Sequence, residues 1–203
     1  MRVVTQRMSP FLTCLLFFAG VLATAVAQEV EVTSVKFLNL RAPSGSIGNW
    51  LEADVVLEAR PAPGPARMVA RVRVALVAAF DLPGAAGGER RLEHYRAEAE
   101  CVALEPGRAS VRFYLPPEIV KRDQLHGDPK FWSVELSAGG RAIPPGRASF
   151  SPALASAEAR KSFQSRATAA AAPNEGLLQP QYLTPFALLY PRETPSYVRR
   201  DTR

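Results

Sequence analysis

Hydrophobic and polar residues alternate with a period of two along much of the chain. In the stretch 50–59, for example, Val55 and Leu57 fall on one side while Glu52 and Asp54 fall on the other. The same alternation recurs in four further stretches: 68–80, 94–103, 108–115 and 131–136. Because successive side chains of a strand point to opposite faces, this pattern predicts antiparallel strands with one buried and one solvent-facing side.

The register of the alternation predicts which residues are buried. In the stretch 68–80 the arginines at 71 and 73 are expected to face solvent. The opposite, buried side is expected to consist of Met68, Ala70, Val72, Val74 and Leu76.

Two more strands complete the predicted set. The first covers 30–40, where the phase of the alternation slips near Thr33 and predicts a β-bulge. The last is expected at 147–151, after a proline-rich turn. A helical turn is expected at 118–125, inside the one long connection between strands.

About seven strands with turn-rich connections predict an all-β fold, an antiparallel β-sandwich followed by a C-terminal helix and an extended Pro-rich tail. In strand number and spacing the chain resembles immunoglobulin-like and fibronectin-III-like domains. The Cys…Trp…Cys pattern of antibody domains is absent, so the resemblance is one of architecture. A jelly roll or a partly open barrel is the alternative.

The first residues of the chain predict export. Arg2 and Arg7 precede an apolar run that ends at Ala25-Val26-Ala27, where small residues suit a signal peptidase. Residues 1–27 are therefore predicted to be a cleaved signal peptide that delivers the protein to the periplasm or the exterior. The alternative is an uncleaved membrane anchor, for which the run is short.

The chain changes character after Pro152. Residues 154–172 are rich in alanine and predict a helix, but Leu154 and Phe163 are its only large apolar side chains. Such a helix is expected to be solvent-exposed and marginally stable. The predicted organisation is thus a signal peptide (1–27), a β-sandwich (28–153), a helical linker (154–172) and a Pro/aromatic tail (173–203).

The tail, residues 173–203, is the strongest functional lead. Its prolines alternate with leucine and aromatic residues, which is not the composition of a typical disordered segment. A segment of this kind loses little entropy on docking, so it is predicted to bind a protein partner. The predicted anchors are Tyr182, Phe186, Leu189, Tyr190 and Tyr197. The alternatives are that the tail packs on its own sandwich or is disordered.

Composition limits the function further. The net charge is +6, but no concentrated basic stripe is present, and nucleic-acid binding is not expected. Membrane contact is expected only if residues 1–27 stay uncleaved. Cys101 is the single cysteine after cleavage, so the mature chain cannot form an internal disulfide and must rely on its apolar core.

Catalytic, cofactor and metal sites are not predicted. Cys101 and His94 would face opposite sides of one strand, which rules out a dyad. A loop with four candidate oxygen or nitrogen ligands also holds three cations that oppose metal binding. The ligands are Glu118, Asp123, His126 and Asp128, and the cations are Lys121, Arg122 and Lys130.

The sequence therefore predicts an exported, non-enzymatic β-sandwich that acts as an adaptor or structural component of the cell envelope. The alternative function is a carbohydrate-binding module, because Trp50, Tyr114 and Phe131 fall on the polar side of their strands, where aromatics could face a sugar. An enzyme using strand carboxylates such as Glu52 is a third, weaker hypothesis. The partner and the oligomeric state are left open.

Overall fold

The computed structural model of the chain describes residues 29–43, 48–60, 67–84 and 88–199. The predicted signal peptide lies outside the described residues. The strands are β1 (Val30–Arg41), β2 (Asn49–Ala59), β3 (Val69–Leu82), β4 (Arg91–Leu104), β5 (Gly107–Leu115), β6 (Phe131–Ala138), β7 (Arg141–Ile143) and β8 (Gln179–Pro180). The helices are α1 (Pro117–Arg122) and α2 (Ala157–Ala171).

The strands form two antiparallel sheets of four. The first sheet has the order β1-β2-β5-β8 and the second has the order β4-β3-β6-β7. The chain crosses between the sheets after β2, β4, β5 and β7, and the first three crossings are those of immunoglobulin-like sandwiches. The prediction of an antiparallel β-sandwich is confirmed.

The main core lies between the two sheets. The first sheet contributes Val55, Leu57 and Phe113, and the second contributes Leu76 and Tyr95, all of them fully buried. These residues come from the predicted alternation, whose inward positions meet across the sandwich. Burial of this apolar surface is the main force that holds the two sheets together.

The predicted bulge in the first strand is confirmed. The pairing of β1 with β2 shifts register between Val32 and Ser34. Thr33, the extra residue, donates a hydrogen bond from its hydroxyl to the carbonyl oxygen of Val56 at 3.2 Å. The bulge allows valines on both sides of Thr33 to face the core despite the slip in sequence phase.

The start of the third strand differs from the prediction. Met68 and Ala70 are exposed, whereas Val69 and Val72 are buried. Arg71 has a φ of +55°, a left-handed conformation that breaks the two-residue alternation at this point. The predicted burial is confirmed for Val72, Val74 and Leu76, which follow the break, and is wrong for the two residues before it.

The last strand also lies elsewhere than predicted. The strand that closes the second sheet is β7, which forms a short hairpin with β6. The expected strand at 147–151 is a 3-10 turn over Arg147–Ser149, followed by a single bridge between Phe150 and Ser133. Pro144 and Pro145 end β7 because they have no N–H to donate to a ladder.

The C-terminal helix is buried along one side, contrary to the expectation of an exposed helix. Ser156 caps α2 by accepting a hydrogen bond from the backbone N–H of Ala159 at 3.0 Å. Phe163 and Ala167 then pack against Val77 and Ala79 on the outer side of β3. The second sheet therefore has apolar cover on both of its faces along this strand.

Candidate functional site

The tail covers the outer face of the first sheet. Gln179 and Pro180 form β8 and extend the sheet by pairing with Tyr114 and Phe113 at the end of β5. The chain then turns across the face of the sheet through a 3-10 turn, Gln181–Leu183. We call this surface the covered face; it comprises Trp50, Glu52, Asp54, Arg112 and Tyr114.

An aromatic cluster attaches the tail to this face. Phe186 is fully buried and stacks on Tyr114, with ring centroids 4.3 Å apart and an interplanar angle of 2°. Trp50 meets Phe186 edge to face, with centroids 5.5 Å apart. Trp50 and Tyr114 occupy polar-side positions in the alternation, yet both are buried because the tail lies over them.

A carboxylate is buried beside this cluster. The hydroxyl of Tyr114 donates a hydrogen bond to Glu52 at 2.6 Å, and both side chains are shielded from solvent. Burial raises the pKa of Glu52, outweighing the opposing effects of the Tyr114 hydrogen bond and the Arg112 charge. Burial likewise raises the pKa of Tyr114, so its hydroxyl remains a donor.

Arg112 links the covered face to the far part of the tail. Its guanidinium donates to the carboxylate of Glu193 at 2.7 Å and to the hydroxyl of Thr194 at 3.3 Å. Asp54 lies 3.5 Å away on β2, and the ring of Tyr190 lies 4.2 Å from the guanidinium carbon. One buried cation thus connects two strands of the sheet to the tail.

Gln181 organises the turn of the tail from within. Its side chain has no solvent exposure, and its amide nitrogen donates to the carbonyl oxygens of Phe186 at 3.0 Å and Leu189 at 2.9 Å. Its amide oxygen accepts a hydrogen bond from Thr194 at 3.3 Å. These bonds satisfy backbone groups that a proline-broken segment cannot pair within a helix or sheet.

The end of the tail crosses from one sheet to the other. Ser110 on β5 donates its backbone N–H to the carbonyl of Glu193 at 2.9 Å. Farther along, Tyr197 forms an antiparallel bridge with Cys101 on β4, the edge strand of the second sheet. The tail therefore caps the edges of both sheets on this side of the sandwich.

Cys101 lies under this bridge and is fully buried, as expected for a small hydrophobic residue. Burial raises the pKa of the Cys101 thiol to about 12, which keeps it protonated at neutral pH. Because the thiolate is the reactive form, this cysteine is suited to packing and not to nucleophilic chemistry.

The five predicted partner-binding residues differ in accessibility. Phe186 is enclosed by the covered face, and Tyr182, Leu189 and Tyr197 are half-buried, so Tyr190 is the most exposed of the five. Tyr182 and Tyr197 also contact each other, with ring centroids 5.1 Å apart. The tail thus adopts the alternative arrangement in which it packs on its own sandwich, and Phe186 cannot serve as an anchor in this conformation.

Other residues of the tail carry its exposed apolar surface. Leu188 is 91% exposed and Leu183 is 59% exposed, and both belong to the turn that Gln181 organises. Sequence reasoning missed them because Leu188 and its buried neighbours are indistinguishable by composition. It also missed Arg112, whose sequence position carries no signal that the tail folds over it, and Gln181, whose position carries no signal that it is buried within the tail.

The aromatic residues considered for carbohydrate binding do not share an exposed surface. Trp50 and Tyr114 lie beneath the tail. Phe131 belongs to the second sheet and packs on Phe163 of α2, with ring centroids 6.0 Å apart. A sugar could not stack on the first two without displacing Phe186. The arrangement therefore does not favour the carbohydrate-binding alternative.

The loop considered for calcium uses its carboxylate in an internal network. Asp123 is buried, accepts a hydrogen bond from the hydroxyl of Tyr95 and forms an ion pair with Arg122 at 2.6 Å. The amide of Asn174, just beyond α2, donates to Glu93 at 2.6 Å in the same region. These contacts join the loop, β4 and the start of the tail.

Within the part of the chain that the structure describes, no three His, Cys, Asp or Glu side chains come together as a metal site would require. Within the same residues, no helix has both the length and the apolar character needed to span a membrane.

A glutamine at position 52 is expected to stabilise the protein at neutral pH. Burial in the folded protein raises the pKa of Glu52 above its value in the unfolded chain. The protonated Glu52 side chain therefore does not destabilise the wild type at low pH, but the wild type loses stability as pH rises and the buried carboxyl must ionise. Glutamine keeps an oxygen acceptor for Tyr114 without the buried charge. Urea unfolding of wild type and Glu52→Gln should show an advantage for the variant that grows from pH 4 to pH 8. If the difference in unfolding free energy between the two proteins is the same at all pH values, the pKa of Glu52 is not raised in the folded protein.

Solved structures of other proteins are similar to this fold. A crystal structure of a protein from Akkermansia muciniphila has a TM-score of 0.62 to this chain and 16% sequence identity, and the similarity covers 85% of this chain and 94% of that one. At such low identity the similarity shows the fold alone. No protein-family model matches the chain, and no curated protein is significantly similar to it.

Proposed function

We propose that this protein is an exported, non-enzymatic adaptor or structural component of the cell envelope that binds another protein through its folded tail. The observation that carries the proposal is an ordered turn of the tail that presents Leu183, Leu188 and Tyr190 to solvent. Large apolar side chains that stand out on a fixed backbone are typical of binding surfaces.

The contacts beneath the tail support this proposal. Phe186 fixes the turn to the covered face, Gln181 fixes its backbone, and Arg112 holds the segment that follows. A partner would therefore meet Leu183 and Leu188 already in place, without the entropy cost of ordering a free peptide. Of the predicted anchors, Tyr190 would contact the partner directly, and Tyr182 and Leu189 would lie at the rim.

Two further features support export and a non-catalytic role. Residues 1–27 combine basic residues, an apolar run and small residues in the order of a secretory signal peptide. The titratable side chains of the covered face are engaged with each other, as in the Glu52–Tyr114 pair, or with the tail, as in the Arg112–Glu193 pair. Such pairing is suited to holding a tail in place.

The test replaces the two exposed leucines and leaves the fold intact. Leu183→Ser/Leu188→Ser is expected to reduce capture of envelope proteins at least tenfold while leaving the unfolding midpoint unchanged, because neither side chain is buried. Quantitative mass spectrometry of material co-purified at native expression level would measure capture.

The matched control is Leu92→Ser, which removes an exposed leucine from β4, away from the turn. Capture that is equal for wild type, control and double variant would contradict binding through the tail. Deletion of the whole tail is a poorer test, since it also removes Phe186 and exposes the covered face.

A further inference from the structure

The edge strands on the two sides of the sandwich differ in their backbone pairing. On one side the tail pairs with both β5 and β4, so neither edge is open. On the other side β1 pairs with β2 alone, and among the described residues no backbone hydrogen bond reaches its outer edge. The 3-10 turn Arg147–Ser149 touches β1 without bonding to its backbone. An open edge strand of this length is a template for another strand.

The bulge sets the usable length of this edge. Thr33 interrupts the ladder, and the stretch Ser34–Arg41 is regular after it. Its length is close to that of an ordinary strand in a globular protein. We call this stretch the open edge.

The outer face of the open edge adds side-chain recognition. Lys36, Leu38 and Leu40 alternate along it and face away from the core. Leu38 is 51% exposed, and Leu40 packs at the border of the aromatic cluster, where Leu189 of the tail also lies. Leu40 and Leu189 thus pack against the same aromatic cluster, which places the open edge near the rim of the tail surface of the proposed function.

The charge of the open edge favours a strand of another protein over a second copy of this chain as its binding partner. The open edge carries Lys36 and Arg41 and has no acidic residue, since Glu31 lies beyond the bulge. Asp54 lies opposite Lys36 on β2, but its carboxylate is already paired with Arg112. Two copies paired edge to edge would therefore bring their cations together without a further carboxylate, which disfavours self-association. A foreign strand with an acidic side chain beside Lys36 would complement the charge and satisfy the backbone groups.

We propose that β1 is a strand-addition site that takes an extended segment of a partner protein, with apolar side chains at alternate positions and a carboxylate beside Lys36. This inference rests on the proposed function and names the surface and partner chemistry that would serve it. The backbone bonds would supply affinity, and contacts with Leu38 and Lys36 would supply selectivity.

The probe is a synthetic, fluorescently labelled peptide of the length of the open edge, in which valine alternates with threonine and one threonine is replaced by glutamate. Fluorescence anisotropy would measure its binding to the purified protein, and hydrogen–deuterium exchange would locate it. We expect saturable binding with protection confined to residues 34–41. Peptides N-methylated at alternate amides, made in both phases, should lose binding in at least one phase.

Two variants test the side chains. Leu38→Lys is expected to weaken binding at least tenfold, and Lys36→Glu should reverse the preference toward a peptide with lysine in place of glutamate. Val102→Lys is the matched control, because Val102 is exposed to a similar degree on β4, whose edge the tail already caps. It should bind the peptide as wild type does.

Several outcomes would overturn the inference. These are absence of binding to all peptides, protection outside 34–41, or sedimentation that shows a dimer of the protein abolished by Leu38→Lys. Leu183→Ser/Leu188→Ser should bind the peptide normally. If envelope capture depends on those leucines while no peptide binds, the strand-addition site is wrong and the proposed function stands. If the peptide binds but capture does not depend on those leucines, the strand-addition site stands and binding through the tail is wrong.

Discussion

Replacing Phe186 with alanine is expected to lower the free energy of unfolding by about 3–5 kcal/mol, the usual cost of removing a fully buried aromatic ring. Phe186 has no solvent exposure and supplies one side of the stack with Tyr114 and the edge contact with Trp50. Its loss leaves a cavity above two aromatic residues that the sheet itself does not cover. Urea unfolding followed by tryptophan fluorescence would measure the change.

The control for this experiment is two residues away. Leu188→Ala removes a side chain that is almost fully exposed and should change stability by no more than about 0.5 kcal/mol. Limited proteolysis gives a second readout, since Phe186→Ala should make the tail more susceptible to cleavage than Leu188→Ala does. If the two variants unfold alike and are cleaved alike, the tail does not lie on the first sheet in solution.

The strands were predictable because their signal is local. The alternation around Val55 and Phe113 depends only on neighbours in sequence, and the inward residues of both strands pack in the core between the two sheets. The prediction was wrong where the backbone departs from regular strand geometry. The positive φ of Arg71 and the two prolines after Ile143 shift a phase and end a strand, and alternation alone does not register either effect.

The covered face was not predictable, because its burial depends on residues far away in sequence. Tyr114 and Trp50 stand on the polar side of their strands, and only the tail, more than sixty residues later, makes those positions interior. The same holds for Arg112, whose partner Glu193 is 81 residues away. A pattern that reports on neighbours cannot indicate contacts of this range.

One signal for the helix position was present in the sequence. From Val74 to Phe80 the residues are apolar without interruption, so both sides of β3 are hydrophobic there. A strand with two apolar sides needs cover on both faces. The expectation of an exposed helix treated α2 by itself, although the strand beneath it already required a covering element.

These two covers determine which surface remains for a partner. The tail occupies the face of β2 and β5, and α2 occupies part of the outer face of β3. Among the described residues no backbone hydrogen bond reaches the outer edge of β1, and Leu38 on its outer face is exposed. The tail therefore has two roles: it completes the fold, and it carries exposed apolar side chains of its own.

The helix offers the second large effect. Phe163→Ala is expected to cost about 3 kcal/mol, because Phe163 is the one large side chain through which α2 packs on Val77 and Ala79. Phe163→Leu keeps most of the apolar volume and should cost less than about 1.5 kcal/mol. Lys161→Ala, on the exposed side of the same helix, controls for helix propensity and should be close to neutral. Urea unfolding followed by circular dichroism would compare the three.

His94 gives an independent readout of the same contact. Its ring stacks on Phe163 with centroids 6.1 Å apart, and burial lowers the pKa of His94 below its ordinary value. Removal of the phenyl ring would admit water, so the pKa of His94 should rise in Phe163→Ala and stay nearly constant in Lys161→Ala. An NMR titration of the imidazole protons would follow both. If the His94 pKa is the same in all variants and Phe163→Ala is no less stable than Lys161→Ala, α2 is not docked on the second sheet.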